Sequence, residues 1–133
     1  MTTATAAPAV RSTRRRALWV FQILAAVFLL VASAAPKFAG QKDAVDTFNE
    51  IGWGQWFRYV TGAVEAAGAI GLLVPRLAGA AALGLIGLMA GAVVTQLTVL
   101  EPAWALFPAV LAVGFALVAR DRRAEIRDLL PRR

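Results

Sequence analysis

The chain has no cysteine and no histidine among its 133 residues. Without cysteine there is no disulfide, no thiol redox chemistry and no thiolate metal ligand. Without histidine the commonest general base, the usual axial ligand of haem and Cys/His zinc sites are also excluded. No phosphate-binding glycine loop and no nucleophile elbow is present. Acid is scarce too: eight Asp and Glu stand against fourteen Lys and Arg, for a net charge of +6. Chemistry here must rest on carboxylates, amides, hydroxyls, lysine, arginine or a borrowed cofactor. No nucleophile–base pair and no metal-ligand set is readable, so a standalone enzyme is not expected.

What is abundant is apolar. Hydrophobic residues make up 59% of the chain and the mean hydropathy is +0.66, well above ordinary soluble domains. A membrane span needs about 20 mostly apolar residues. Residues 17–35, 77–100 and 103–119 are free of charge, and residues 60–74 carry only Glu65. These four stretches predict an all-α integral membrane protein, a four-helix bundle that uses nearly the whole chain. The expected division is a disordered basic tail over 1–16, the four-span domain over 17–119 and a basic tail over 120–133 that forms a short surface helix.

Basic residues set the orientation. Arg11, Arg14, Arg15 and Arg16 precede the first span, Arg76 sits in the second connection, and six arginines follow the last span. In the first connection Lys37, Lys42 and Arg58 are offset by Asp43, Asp46 and Glu50. The positive-inside rule therefore places both termini and the Pro75–Arg76 turn in the cytoplasm, in a multi-pass protein of the cell inner membrane. The arginines read as topology signals and contacts for anionic lipid, not as a nucleic-acid footprint. A competing reading makes Arg11 to Ala34 a secretory signal, but its apolar run is long for one and cleavage would leave three spans.

Several features organise the chain around these spans. Residues 43–57 set Ala44, Phe48, Ile51 and Trp53 at near-helical spacing, as in an amphipathic segment at the membrane surface. Trp53, Trp56, Phe57 and Tyr59 crowd the mouth of the second span, which fits an aromatic belt better than ligand stacking. In the third span Gly84, Gly87 and Gly91 form a small stripe that extends through Thr95 and Thr98, with the spacing that lets helix backbones approach. These glycines are expected to pack helices, either within the bundle or between copies in a homo-oligomer.

The intramembrane polar groups share one depth. At about 1.5 Å per residue, Glu65 lies about 10 Å below the outer interface. Lys37 and Ser33 end helix one at that level, Thr95 and Gln96 lie in the outer third of helix three, and Trp104 starts helix four. Gln22 is the exception, near the inner end. A buried acid must pair or protonate, so Glu65 is either the acceptor for Lys37 or Arg58, or a neutral donor to Gln96 or a ligand carbonyl. Interhelical hydrogen bonds in membranes average under about 1 kcal/mol, while placing an acid in a span costs about 2.5–3.5 kcal/mol. That imbalance favours a ligand pocket of Lys37, Arg58, Glu65, Thr95, Gln96 and Trp104 over a purely structural pair.

Lys37-Phe38-Ala39-Gly40 after Pro36, the run GWGQWFRYVTGAVEAAGAIGLLVP from Gly52 to Pro75, and RLAGAAALGLIGLMAGAVVTQLT from Arg76 to Thr98 resemble the DoxX-like family of small four-span bacterial membrane proteins. The resemblance covers roughly residues 17–119. It implies a membrane subunit associated with an oxidoreductase, thiosulfate:quinone oxidoreductase among them, although many members have no assigned activity. It maps an outer-end lysine to Lys37, the helix-two acid to Glu65, and the polar end of helix three to Gly91, Ala92, Thr95 and Gln96. Many relatives carry a histidine after the Gly-Ala of helix three; its absence here argues against proton-coupled or metal chemistry at that point. Vitamin K epoxide-type quinone reductases share the topology but require cysteine, so that reading fails.

The leading expectation is a quinone-interacting or membrane-anchor subunit of an oxidoreductase. Glu65 with Lys37 or Arg58 would polarise a quinone oxygen, Gln96 or Thr95 would be the second donor, and Trp53, Trp56 or Trp104 would flank the ring. The alternative is a non-catalytic scaffold that binds membrane helices through the glycine stripe. A small-solute or lipid transporter ranks last, since no inverted repeat or broken helix pair is evident.

Overall fold

A computed structural model describes residues 3–131, and side chains from residue 12 onward. Met1, Thr2, Arg132 and Arg133, and the Arg11 side chain, lie outside the described residues. The chain is helical throughout, with no strand among the described residues. Helix α1 (Thr3–Val27) runs into a π-helical stretch (Phe28–Ala34) and then α2 (Ala35–Ala39). After α3 (Lys42–Ile51) come α4 (Trp56–Leu73), α5 (Ala78–Thr98), a 3₁₀ turn (Pro102–Ala105), α6 (Leu106–Asp121) and α7 (Arg123–Leu129).

Among the described residues, three helical segments are long and apolar enough to cross a membrane: Ser12–Ala39, Ala78–Thr98 and Pro102–Asp121. Their outward residues are large and apolar, with Leu24, Val31 and Leu106 between 65% and 70% exposed, as lipid-facing positions require. Helix α4 falls short of that by composition, because its 18 residues include Arg58 and Glu65. Both nevertheless point inward. The buried positions of α4 are Arg58, Gly62, Glu65, Ala69 and Leu72, a stripe at alternating spacings of four and three residues.

The core is filled by Ala26 and Leu29, Ala69 and Leu72, Ala82 and Leu85, and Phe115 and Val118, one pair from each of the four long helical segments. Phe21 meets Phe115 edge-to-face at 5.5 Å. Helix α5 packs most extensively on α6, and α4 on α5 and on the π-helical stretch. Since lipid is as apolar as the core, close packing rather than water exclusion holds such helices together.

The glycines that permit this packing are not those of the expected stripe. A Cβ on Gly68 would lie 2.5 Å from Leu85, and one on Gly114 would run into the Phe21 ring. At Gly84, Gly87 and Gly91 nothing among the described residues lies within 4 Å. The stripe therefore faces away from the chain's own core, and internal packing uses the opposite side of α5, through Ala82, Leu85 and Met89. Gly114→Ala is expected to destabilise by about 1–3 kcal/mol through overpacking, whereas Gly87→Ala leaves the monomer unchanged. Thermal unfolding of the two variants in detergent checks the contrast.

Two ends of the molecule are now distinct. At one, Arg14 pairs with Asp121 at 3.1 Å, Arg15 with Glu125 at 2.6 Å, and Arg122 donates to the Pro75 carbonyl. Both terminal segments and the α4–α5 turn thus share that end. Helix α1 itself extends back to Thr3, through the stretch expected as a disordered tail. An alanine-rich start favours helix, and Arg14 and Arg15 tie it to the C-terminal segment. At the other end Phe48 of α3 is buried and packs edge-to-face on Phe57 at 5.8 Å. The helix stops at Gly52, whose φ of 83° suits only glycine well.

Candidate functional site

Helix geometry brings Lys37 to Glu65. Pro36 has no N–H for the carbonyl four residues back, and just before it the backbone widens to π register, with Ala35 N–H donating to the Leu30 carbonyl. Such π stretches are rare and occur often at functional sites. This one ends with Ser33 and Lys37 turned toward α4. Gly62 lets them approach: a Cβ there would lie 3.3 Å from Lys37 Cβ and 3.2 Å from the Phe38 ring.

The centre is an ion pair held by a hydroxyl. Lys37 Nζ lies 2.8 Å from Glu65 Oε1, with the two side chains only 16% and 7% exposed. Ser33 Oγ donates to Glu65 Oε2. Lys37 Nζ donates to Ser33 Oγ at 2.9 Å and to the Ser33 carbonyl at 3.2 Å. The ammonium therefore aims its aligned hydrogen bonds at Ser33 and meets the carboxylate at close range but off-axis. Each charge offsets part of the desolvation cost of the other, and Ser33 bridges both.

Arg58 has a different task from the one expected. Its Nη1 donates to the Lys37 backbone carbonyl, near the C-terminus of α2, where carbonyls lack intrahelical partners. Its Nε donates to Gln55 Oε1 at 2.7 Å, and its guanidinium lies 4.3 Å from the Tyr59 ring centroid. Arg58 fixes the residue that pairs with Glu65 and does not pair with Glu65 itself.

The rest of the expected pocket lies elsewhere. Thr95 Oγ1 donates to the Gly91 carbonyl at 2.8 Å, within its own helix. Gln96 Oε1 accepts from the Glu101 N–H at 3.2 Å and closes the turn after α5. Trp104 is 67% exposed. Gln96 and Trp104 line an open cleft of about 360 Å³ with Thr47, Glu50 and Glu101, apart from the Lys37–Glu65 pair. The six residues expected in one pocket thus divide into an interior set, Lys37, Arg58 and Glu65, and a surface set.

A second buried polar cluster closes the opposite end. Arg122 is 2% exposed and Gln22 1%. Arg122 donates to Glu125 Oε2 at 2.9 Å, to the Pro75 carbonyl at 3.2 Å and to Gln22 Oε1 at 3.4 Å, and lies over the Trp19 ring. Gln22 donates in turn to the Leu72 carbonyl at 2.8 Å. Burial pushes the Glu125 carboxyl up, but hydrogen bonds and charge from Arg15 and Arg122 outweigh it and hold it below the usual carboxylate range. In the sequence Arg122 is one of six clustered arginines; Gln22, polar and inside a span, is the signal that a partner waits at that depth.

A family model described as the DoxX-like family matches residues 20–118 of the chain. No curated protein and no solved structure matches it.

Proposed function

The chain belongs to the DoxX-like family, and from the charged pair enclosed among its helices we propose that it is a quinone-interacting membrane subunit of an oxidoreductase. On this reading α4 completes a four-span bundle in a bacterial inner membrane. Both termini and the Pro75–Arg76 turn lie on the cytoplasmic side, and electrons come from a partner protein. The observation that carries it is the Lys37–Glu65 pair, since ionisable groups inside membrane domains mark functional sites by default.

The side chains suit a quinone head group. Lys37 spends its longest hydrogen bond, 3.2 Å, on the Ser33 carbonyl, the bond a quinone oxygen would replace. The rings beside the pair are Phe38, against Gly62, and Tyr59, whose centroid lies 6.3 Å from that of Phe38. The exposed tryptophans are not needed. A bound quinone supplies two-electron chemistry coupled to proton uptake. Lys37 would hold its oxygen, Glu65 keeps the ammonium aimed, and Ser33 fixes the carboxylate. Mass spectrometry of quinones extracted from gently purified wild type and Glu65→Gln tests this. Wild type is expected to retain a quinone and the variant to lose it; no quinone in either overturns the reading.

A second reading, a membrane anchor or scaffold, is favoured by the open face at Gly84, Gly87 and Gly91, against which the chain places nothing. Another copy or a partner helix would approach there. Loss of a co-purifying protein in Gly87→Leu, with Glu65→Gln silent, would select it.

A further inference from the structure

The cations of this protein are not equivalent, and their placement makes the molecule electrically lopsided. At the end that holds both terminal segments, Arg14, Arg15 and Arg122 are engaged by Asp121 and Glu125. Those two acids are therefore spent inside the fold. Arg16, Arg76, Arg120, Arg123 and Arg127 are exposed and have no partner among the described residues, and the one exposed acid beside them is Asp128. At the opposite end the reverse holds. Lys37 and Arg58 are withdrawn from the surface, leaving Lys42, itself paired with Asp46 at 2.7 Å, against exposed Asp43, Glu50 and Glu101. Unpaired cations thus dominate the surface of the basic end and unpaired anions that of the other.

We infer that the arginine-rich end is a binding surface for anionic phospholipid headgroups, formed by Arg16, Arg76, Arg120, Arg123 and Arg127. The exposed acids repel the same lipids from the far end. An anionic headgroup meets cations there whose own carboxylates are already neutralised, so binding breaks no internal ion pair. Each arginine near an anionic surface contributes an attraction screened within a Debye length. Because the five project from α1, the α4–α5 turn, α6 and α7, lipid bound there would bridge every segment that ends on that side.

The arrangement of tryptophans permits a direct test. Trp19 lies at the basic end, beneath Arg122, while Trp53 precedes α4, Trp56 opens it and Trp104 follows α5, all at the other end. A full-length Trp53→Phe, Trp56→Phe, Trp104→Phe protein, reconstituted in phosphatidylcholine vesicles, reports from Trp19 alone. Quenching by brominated phosphatidylglycerol is then compared with quenching by brominated phosphatidylcholine. The expected preference for the anionic lipid is about fivefold or more at low salt, nearly lost at about 1 M salt, where the Debye length is about 3 Å. Replacing Arg76, Arg120, Arg123 and Arg127 by glutamine on that background should bring the ratio toward one, without disturbing Arg122 and its partners. Equal quenching by the two lipids, or a preference that survives the four substitutions, overturns the inference.

Discussion

Lys37→Met is expected to cost about 3 kcal/mol or more, because it leaves the Glu65 carboxylate buried without its countercharge. Ser33 still donates to Oε2, but a hydroxyl does not replace an ammonium 2.8 Å away. Glu65→Leu leaves the opposite fault, a lysine with no anion in a site that is 16% exposed. The double variant Lys37→Met, Glu65→Leu removes both faults, and replacement of a buried pair by apolar groups of similar size is often neutral. Unfolding free energies of the four proteins in a mixed micelle should therefore show the double variant well above the sum of the singles. Simple additivity would mean that the two charges do not act on one another. The double variant also separates stability from function. It is expected to fold and to retain no quinone, whereas a pair that serves only to join helices would leave quinone content untouched.

What the sequence made legible was the need for this pair. An acid in an apolar run must find a partner, and rise per residue puts Lys37 at its level. Depth, however, does not give rotation about the helix axis. Rise per residue gives Thr95 and Gln96 the same depth, but Thr95 bonds within its own helix and Gln96 closes the Glu101 turn. Arg58 is near enough to Glu65 in sequence to suggest pairing, yet a carbonyl at the end of α2 claims it. Which of its two expected roles the glycine stripe takes is hidden in the sequence for a related reason. In a membrane helix both the core side and the lipid side are apolar, so small residues do not announce which way they face. Here Leu85 and Met89 fill the core and the glycines look out. The π-helical stretch left no mark beyond Pro36. Three of the four expected spans stand out by hydropathy, and the fourth is obscured by the same Arg58 and Glu65 that give it its site.

Arg122 was hidden among charges that look alike, and it carries the other large prediction. Arg122→Met removes a donor to the Pro75 carbonyl, to Glu125 and to Gln22, three segments held by one guanidinium. The expected loss is about 2–4 kcal/mol, since buried partners of a charged donor are left unmatched. Arg123→Met, one residue on and exposed, should fall within about 0.5 kcal/mol of wild type. Acid supplies an independent readout. The folded-state pKa of Glu125 is depressed, so its contribution is fully present above the unfolded value. It is lost as pH falls through the folded one. Wild type should therefore lose Glu125's part of its stability on acidification below the ordinary carboxylate value of 4.5. In Arg122→Met only Arg15 still holds the carboxyl down, so the acid-sensitive part shrinks, and in Glu125→Gln it vanishes. Thermal unfolding in detergent between neutral pH and about pH 3 follows this order if Arg122 clamps that end of the molecule through Glu125. Equal acid slopes in all three proteins would place the clamp in the carbonyl and amide bonds alone.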